Sequence, residues 1–346
     1  MVATHAPDTI RMFPDSPRET PMPDPTSLAT KRPAAPASSW GERVTIRPPA
    51  SVLARLTRGV WRQASRNPRC PATPRLDGRT ALVTGGGRGI GVETTRGLIA
   101  RGAEVISASR KPHDLSLPAR HLPLDLADLG AVARSVDSLA SLLDGRRLDL
   151  LVANAGLWPT RFARSAQGHE IAFATNALGH HALIRGLQAR DLLASGARVV
   201  IVTGDIYVMA RECTPDFAYR TALGGQLAYC RSKLANLWQM RELAARHPEL
   251  CVVAVHPGVV ASELGGASRG VGGTVKRALL LSTEAGAQTP LFCATQPGIR
   301  SGAYYHNALG RVELASDDPA ADSSRAAAFW DLLEDLVTSQ LATGTD

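Results

Sequence analysis

The sequence predicts an α/β protein: a doubly wound parallel sheet with helices on both faces, forming one domain over residues 76–340 behind an N-terminal extension over 1–75. Three observations carry this. From Leu76 onward, short apolar runs of strand length alternate with longer segments of helical period, the order that right-handed βαβ units require. A cluster of glycines separates the first of those strands from the first helix. The composition, 44% hydrophobic and 20% charged over 346 residues, suffices for one large core and excludes a wholly disordered chain.

The extension differs from the rest. Residues 1–75 hold 12 Lys and Arg against 5 Asp and Glu, and 13 of the 23 prolines. Residues 1–50 are expected to be disordered, because few apolar side chains interrupt the prolines. Residues 51–66 are expected to form a short basic helix: Leu53, Leu56, Val60 and Trp61 recur at helical spacing, with Arg55, Arg58, Arg62 and Arg66 between them. Such a helix either packs on the folded body or makes a peripheral membrane contact.

Beyond the extension the charges balance, 27 basic against 26 acidic. The net charge of +8 therefore belongs to the extension, and no nucleic-acid partner is expected for the body. No apolar run is long enough for a transmembrane helix. The first twenty residues lack the apolar stretch of a secretory signal, and Asp8, Asp15 and Glu19 argue against a transit peptide. Five scattered cysteines show neither a disulfide framework nor a metal spacing, which suits a reducing, cytoplasmic location. No metal site is expected.

The elements follow in order. TALVT at 80–84 reads as a buried strand and 89–99 as a helix. Strands follow at 104–108 and near 121–124, then a helix over 128–143. LDLLVANAG carries the fourth strand and ends at Asn154-Ala155-Gly156. A long helix spans about 168–194, the strand ARVVIVTG 197–204, and a helix 226–246. CVVAVHPG at 251–258 is the sixth strand. A helix near 283–295, a short strand at 303–306 and a helix over 320–338 complete the body.

Glycines between a first strand and a first helix let the backbone approach a pyrophosphate, which the helix N-terminus then attracts with its N–H groups and dipole. Gly85-Gly86-Gly87-Arg88-Gly89-Ile90-Gly91 stands in that context. With the preceding Thr84 it resembles the TGxxxGIG turn of the short-chain dehydrogenase/reductase family. Asn154-Ala155-Gly156 matches that family's NAG, Tyr229-Cys230-Arg231-Ser232-Lys233 its YxxxK, and His256-Pro257-Gly258 its HPG segment. AYCRSKLAN, AVHPGVV and NALGH are similar to the retinol dehydrogenase-like group within it. The resemblance covers about residues 76–340 and implies a Rossmann-type fold and a nicotinamide cofactor. It assigns cofactor contacts to Gly85, Arg88, Gly89, Ile90, Gly91, Arg110, Asp125, Leu126, Asn154, Ala155, Gly156, Tyr229, Lys233, Pro257, Gly258 and Val259.

An arginine after the second strand accommodates the 2′-phosphate of NADP, where an acidic residue would bind the 2′-OH of NAD. Arg110 follows that strand and Arg88 sits in the glycine turn, so NADP(H) is expected, with NAD(H) as the alternative. Asp125 resembles the residue that binds the adenine amino group; its other reading is a helix N-cap.

Tyr229 and Lys233, four apart on a helix, share one face. A cation there is expected to bring the phenol, ordinarily near pKa ~10, toward neutral, so that Tyr229 exchanges a proton with a carbonyl or alcohol oxygen. By resemblance Lys233 also binds the nicotinamide ribose, and Asn176 organises a proton relay beside it. The family's oxygen-holding serine has no counterpart: Val202-Thr203-Gly204-Asp205 places Gly204 at its position, with a one-residue shift to Thr203 or Asp205 left open. Losing one positioned donor costs about 10²–10³ in rate. Two readings follow: an oxidoreductase with an altered oxygen site acting on a small, lipophilic alcohol or carbonyl, or a nucleotide-binding protein without turnover. Substrate loops are expected at 205–225 and 259–282, with Trp158, Met209 and Leu264 as candidate apolar lining. His180 and His181 read as structural. The resemblance implies a homodimer or homotetramer.

Overall fold

The computed structural model describes residues 43–46, 52–65, 68–112, 117–260 and 280–342. In chain order these form β1 (Arg43–Ile46), α1 (Val52–Ser65), β2 (Thr80–Thr84), α2 (Gly89–Ile99), β3 (Glu104–Ser109), β4 (Ala119–Pro123), α3 (Leu129–Leu143) and β5 (Leu148–Ala153). There follow α4 (Ile171–Phe173), a π-helical turn at Ala174–Leu178, α5 (Gly179–Ala189), β6 (Leu193–Val202), a 3₁₀ turn at Asp205–Met209, α6 (Gly224–Arg246), β7 (Cys251–His256), α7 (Thr283–Thr295), β8 (Ala303–His306), β9 (Gly310–Leu314) and α8 (Ser323–Ala342).

The nine strands lie in the order β1-β9-β8-β7-β6-β5-β2-β3-β4. Every pairing is parallel except β8 with β9. The chain order reverses between β2 and β5, so the expected doubly wound sheet is present. At such a reversal the strand ends open a crevice for a ligand.

Alternation along the strands builds two cores. Leu82, Ile106, Leu151, Val199 and Val252 face one layer, with Leu183 and Leu187 of α5 and Leu234 of α6. Val83, Val105, Val152, Val200 and Val253 face the other, with Leu98 of α2 and Leu291 of α7. Burial on both faces is why these strands read as continuous apolar runs. On the second face, glycines let the helices approach: a Cβ on Gly97 would sit 2.5 Å from Leu291 Cδ1, and one on Gly286 2.6 Å from Val260 Cγ2. Asp128 caps α3, its carboxylate accepting the Gly130 N–H at 2.9 Å.

Two expectations about the extension change. Within the stretch expected to be disordered, Arg43–Ile46 pairs with β9 as a strand of the main sheet; a β-compatible RVTI finds its partner some 270 residues away, beyond any local signal. Residues 1–42 lie outside the described residues. The expected helix is present as α1, with Leu56 against the first core and Gln63 buried, so α1 packs on the body. Trp61, expected on its apolar face, is instead 75% exposed. The helix expected over 168–194 ends at Ala189, where Asp191 takes a left-handed φ of 52° and the chain turns into β6. Among the described residues no helix is long and apolar enough to cross a membrane, and all five cysteines are free.

Candidate active site

The carboxyl ends of β2 and β5 are stitched together. Thr84 Oγ1 accepts the N–H groups of Asn154 (3.0 Å) and Ala155 (2.9 Å), and Asn154 Nδ2 donates to the Thr84 carbonyl at 3.0 Å. The chain then turns through Gly85 and Gly89, both at positive φ (65° and 56°), where a side chain would be strained. A Cβ on Gly91 would overlap the Gly85 carbonyl, so only glycine lets α2 start this close to the turn. Arg88 stands at the N-cap of α2 without a side-chain hydrogen bond to the helix. Among the described residues no side-chain cap from Arg88 meets the first-turn N–H groups, as suits an anion site.

The Thr84 hydroxyl, with two N–H groups already accepted, turns its own proton toward His180 Nε2 at 2.9 Å. That assigns the proton of this ring to Nδ1, which donates to the Asn176 carbonyl at 3.3 Å. Burial pushes His180 down to about 4, so the ring stays neutral and the tautomer fixed. Asn176 sits in the π-helical turn, a local widening frequent at functional sites. Its Nδ2 donates to Leu157 O and Ser232 Oγ, both at 2.9 Å, and its Oδ1 accepts the Leu157 N–H at 2.9 Å. Ser232 Oγ in turn donates to the Tyr229 carbonyl at 2.8 Å. Asn176 thus ties the β5 loop to α6, one turn from the tyrosine.

Tyr229 and Lys233 share one face of α6, as expected. Lys233 Nζ lies 5.4 Å from the centre of the Tyr229 ring, and Trp158 stacks on the ring's plane at 4.8 Å. Lys233 is 3% exposed, and burial pushes it down to about 8. The phenol is pushed up, first by burial and then by the neighbouring Cys230. The expected lowering is absent for a geometric reason: Lys233 Nζ donates to the Val202 carbonyl at 2.9 Å and lies over the ring instead of bonding the phenolic oxygen.

Three residues stand at or beside the expected serine position. Thr203 Oγ1 donates to the Lys233 carbonyl at 2.8 Å, so its hydroxyl is committed to α6. Asp205 turns away into a buried cluster: its carboxylate accepts from Tyr304 OH at 2.6 Å and His306 Nε2 at 3.1 Å. Gly204 stands between them, extended at φ −167°, with space beside it: a Cβ there would lie 3.9 Å from His256 Nδ1 and from Ile206 Cγ2. Asp205, His256 and His306 bring ligand atoms within 4.8 Å of one another, a donor set a divalent ion accepts. Their wiring opposes that use. His256 Nδ1 accepts the Asp205 N–H (3.2 Å) and His306 Nδ1 the Ala308 N–H (3.1 Å). Each ring then carries its proton on Nε2, the nitrogen a metal would need bare.

The remaining cofactor candidates are spread along the same strand ends. Arg88 and Arg110 are exposed. Asp125 Oδ1 accepts the Ala127 N–H at 3.0 Å, and the cap of α3 is Asp128, so Asp125 is not the N-cap. Leu126 is buried in the core and has only its main chain to offer. Ile90 packs near Gly286. Pro257 and Gly258 are buried, while Val259 is 40% exposed. Gly156 lies near both Asn176 and Lys233: a Cβ on it would sit 3.4 Å from Asn176 Oδ1 and 3.7 Å from Lys233 Nζ. Met209 is exposed, and Leu264 lies outside the described residues. A nicotinamide dinucleotide fits this set. The uncapped glycine turn suits a pyrophosphate, and the amide of Asn307, buried against Gly258 with neither atom partnered, is a polar group awaiting a ligand.

Residues 79–270 match the family model described as short chain dehydrogenase. The chain belongs to the short-chain dehydrogenase/reductase family. This short-chain dehydrogenase is 33% identical to human retinol dehydrogenase 12 over 262 residues, 68% of this chain and 80% of that one. It is 36% identical over 234 residues to a probable oxidoreductase of Streptomyces antibioticus, 62% of this chain and 75% of the other. Among solved structures, a protein from Mycobacterium Paratuberculosis superposes with a TM-score of 0.63 at 29% identity, covering 78% of this chain and 98% of that one. A short chain dehydrogenase from Burkholderia cenocepacia J2315 in complex with NADP shares the fold at a TM-score of 0.54 and 24% identity, covering 67% and 97%.

Sequence reasoning missed the hydrogen-bond partners of His180 and the Asp205–His306–Tyr304 cluster. Apart from the local His180–Asn176 bond, these join residues about a hundred positions apart, with no spacing to reveal them.

Proposed function

We propose that this protein is an NADP(H)-dependent oxidoreductase that interconverts an alcohol and a carbonyl, with Tyr229 as the acid/base. The observation that carries the reading is Tyr229 and the buried Lys233 on one face of α6, Asn176 one tie away, all at the sheet end that carries the uncapped glycine turn. The glycine turn would hold the pyrophosphate, Arg88 and Arg110 the 2′-phosphate, and Lys233 and the main chain at Pro257–Val259 the nicotinamide end. The bound nicotinamide supplies or accepts the hydride. Tyr229 gives its proton to the carbonyl oxygen in reduction and takes it back in oxidation. With the cofactor bound, Lys233 would favour the tyrosinate through its charge, and Asn176 fixes α6 against the β5 loop. The names of the retinol dehydrogenase relatives support a lipophilic substrate. The resemblance supports a homodimer or homotetramer.

The second reading, a nucleotide-binding protein without turnover, is favoured by Gly204, which offers no hydroxyl to hold the substrate oxygen. One assay separates the two: NADPH oxidation and NADP⁺ reduction across aldehydes, ketones and alcohols. Wild-type turnover that falls at least ~10³-fold in Tyr229→Phe is expected. Gly204→Ser fits the extended backbone and the free space, and should raise turnover by up to about 10²–10³. Turnover confined to Gly204→Ser would establish the binding protein instead.

A further inference from the structure

Gln63 reaches from α1 in the extension to the residue that follows the HPG segment. Its Oε1 accepts the Val259 N–H at 2.9 Å, and its Nε2 donates to the Val259 carbonyl at 3.3 Å. The side chain is 2% exposed, although it is polar and belongs to a helix outside the matched family region. The same helix crosses the ends of two strands. Gly59 faces Asp205, after β6, with a Cβ position 3.8 Å from Oδ2, and Gln63 grips the chain after β7.

The group that makes this grip is a primary carboxamide, one acceptor and one donor held in a plane. Nicotinamide carries the same group. A main-chain N–H and C=O of one residue, presented at the nicotinamide end of the site, complement any primary carboxamide in this two-point manner. A single N–H cannot serve two acceptors at full strength. The Val259 side chain is 40% exposed, so its main chain is what the site offers; Gln63 holds the N–H and shares the carbonyl with the Leu281 N–H, which reaches it at 3.0 Å.

We propose that Gln63 is an internal stand-in for the nicotinamide carboxamide: it occupies the Val259 main chain in the cofactor-free protein and must yield when the nicotinamide end of the cofactor docks. This rests on the cofactor reading above and adds to it a competing residue supplied by the extension. It makes α1 a part of the cofactor site that opposes one end of the dinucleotide and is indifferent to the other.

The test compares two ligands that differ only in the nicotinamide: NADPH and 2′-phospho-ADP-ribose, with NADH and ADP-ribose as the parallel pair. Binding to the full chain is measured by calorimetry for wild type, Gln63→Met, which keeps length and loses both hydrogen bonds, and Gln63→Ala. The expected result is NADPH affinity about threefold to tenfold higher in both variants, with 2′-phospho-ADP-ribose unchanged. Hydrogen exchange of residues 52–65 in the wild type gives a readout independent of any variant: it should rise with NADPH and not with 2′-phospho-ADP-ribose. Unchanged or lower NADPH affinity in the variants overturns the proposal, and so does an equal fall for both ligands, which would make Gln63 a support of the fold. If neither dinucleotide nor its fragment binds the wild type, the cofactor reading itself fails, and this proposal with it.

Discussion

A single lysine sets the electrostatics of the site. Lys233 is buried with its ammonium on the Val202 carbonyl, and its pKa lies at about 8 against an ordinary 10.5. A lysine held below its unfolded pKa binds fewer protons folded than unfolded between those two values, so stability rises with pH across that window. Below about pH 8 the cost of the buried charge is fully present. Measured by urea unfolding as the difference between wild type and Lys233→Met, this gain should run from there toward pH 10.5 and reach on the order of 3 kcal/mol; both proteins share the opposing loss from the buried Cys213, Cys230 and Cys293 thiols, whose pKa values burial raises. Lys233→Met should lack the lysine's gain across the window and be more stable than wild type at pH 7, because Asn236 Nδ2 still satisfies Val202 O at 3.1 Å. A wild-type profile that runs parallel to the variant's would show that the lysine is solvated. Lys233 was legible as a site residue through its spacing from Tyr229. Its effect on the phenol was not, because spacing places both on one helix face without saying which atoms of that face meet.

At the scale of elements, α2 shows how one helix serves two neighbours through two glycines. Gly91 meets backbone: a Cβ there overlaps the Gly85 carbonyl and comes within 2.6 Å of Asn154 Nδ2. Gly97 meets only the far end of a leucine side chain on α7. Gly91→Ala should therefore lift the start of α2 off the turn, with about 1–3 kcal/mol of stability lost in urea unfolding and NADPH affinity down at least ~10-fold. Gly97→Ala should cost less and leave that affinity alone. Equal effects of the two on cofactor binding would refute the assignment of the turn as the phosphate site. Most elements were visible in the sequence because their signals are local. TALVT is buried on both faces and reads as a continuous apolar run. The π-helical turn under Asn176 left no trace, since a widened turn keeps the helical pattern. β1 and β9 were missed because four or five residues such as RVTI and GRVEL become strands only through the neighbour they meet.

The whole molecule manages its sheet edges differently. β4, the outer strand on one side, carries Arg120, His121 and Pro123, residues that discourage a further strand. On the other side β9 would be the edge without β1, which covers it through Arg43↔Arg311 to Ile46↔Leu314. Removing residues 1–47 should uncover β9 and leave it folded, since it stays paired with β8. Light scattering should then show concentration-dependent association beyond that of the full chain. A truncated protein with the full chain's mass at every concentration would show that β1 protects nothing.

The pairing of β1 with β9 also fixes a timetable. The first described strand takes the outermost place in the sheet, next to a strand synthesised some 270 residues later. At about 5–20 residues per second, RVTI waits roughly 15–55 s for its partner. Through that interval the nascent chain must carry RVTI without its sheet neighbour, and the prolines at positions 48 and 49, which cannot donate a ladder hydrogen bond, limit the length over which it could recruit a neighbouring nascent chain.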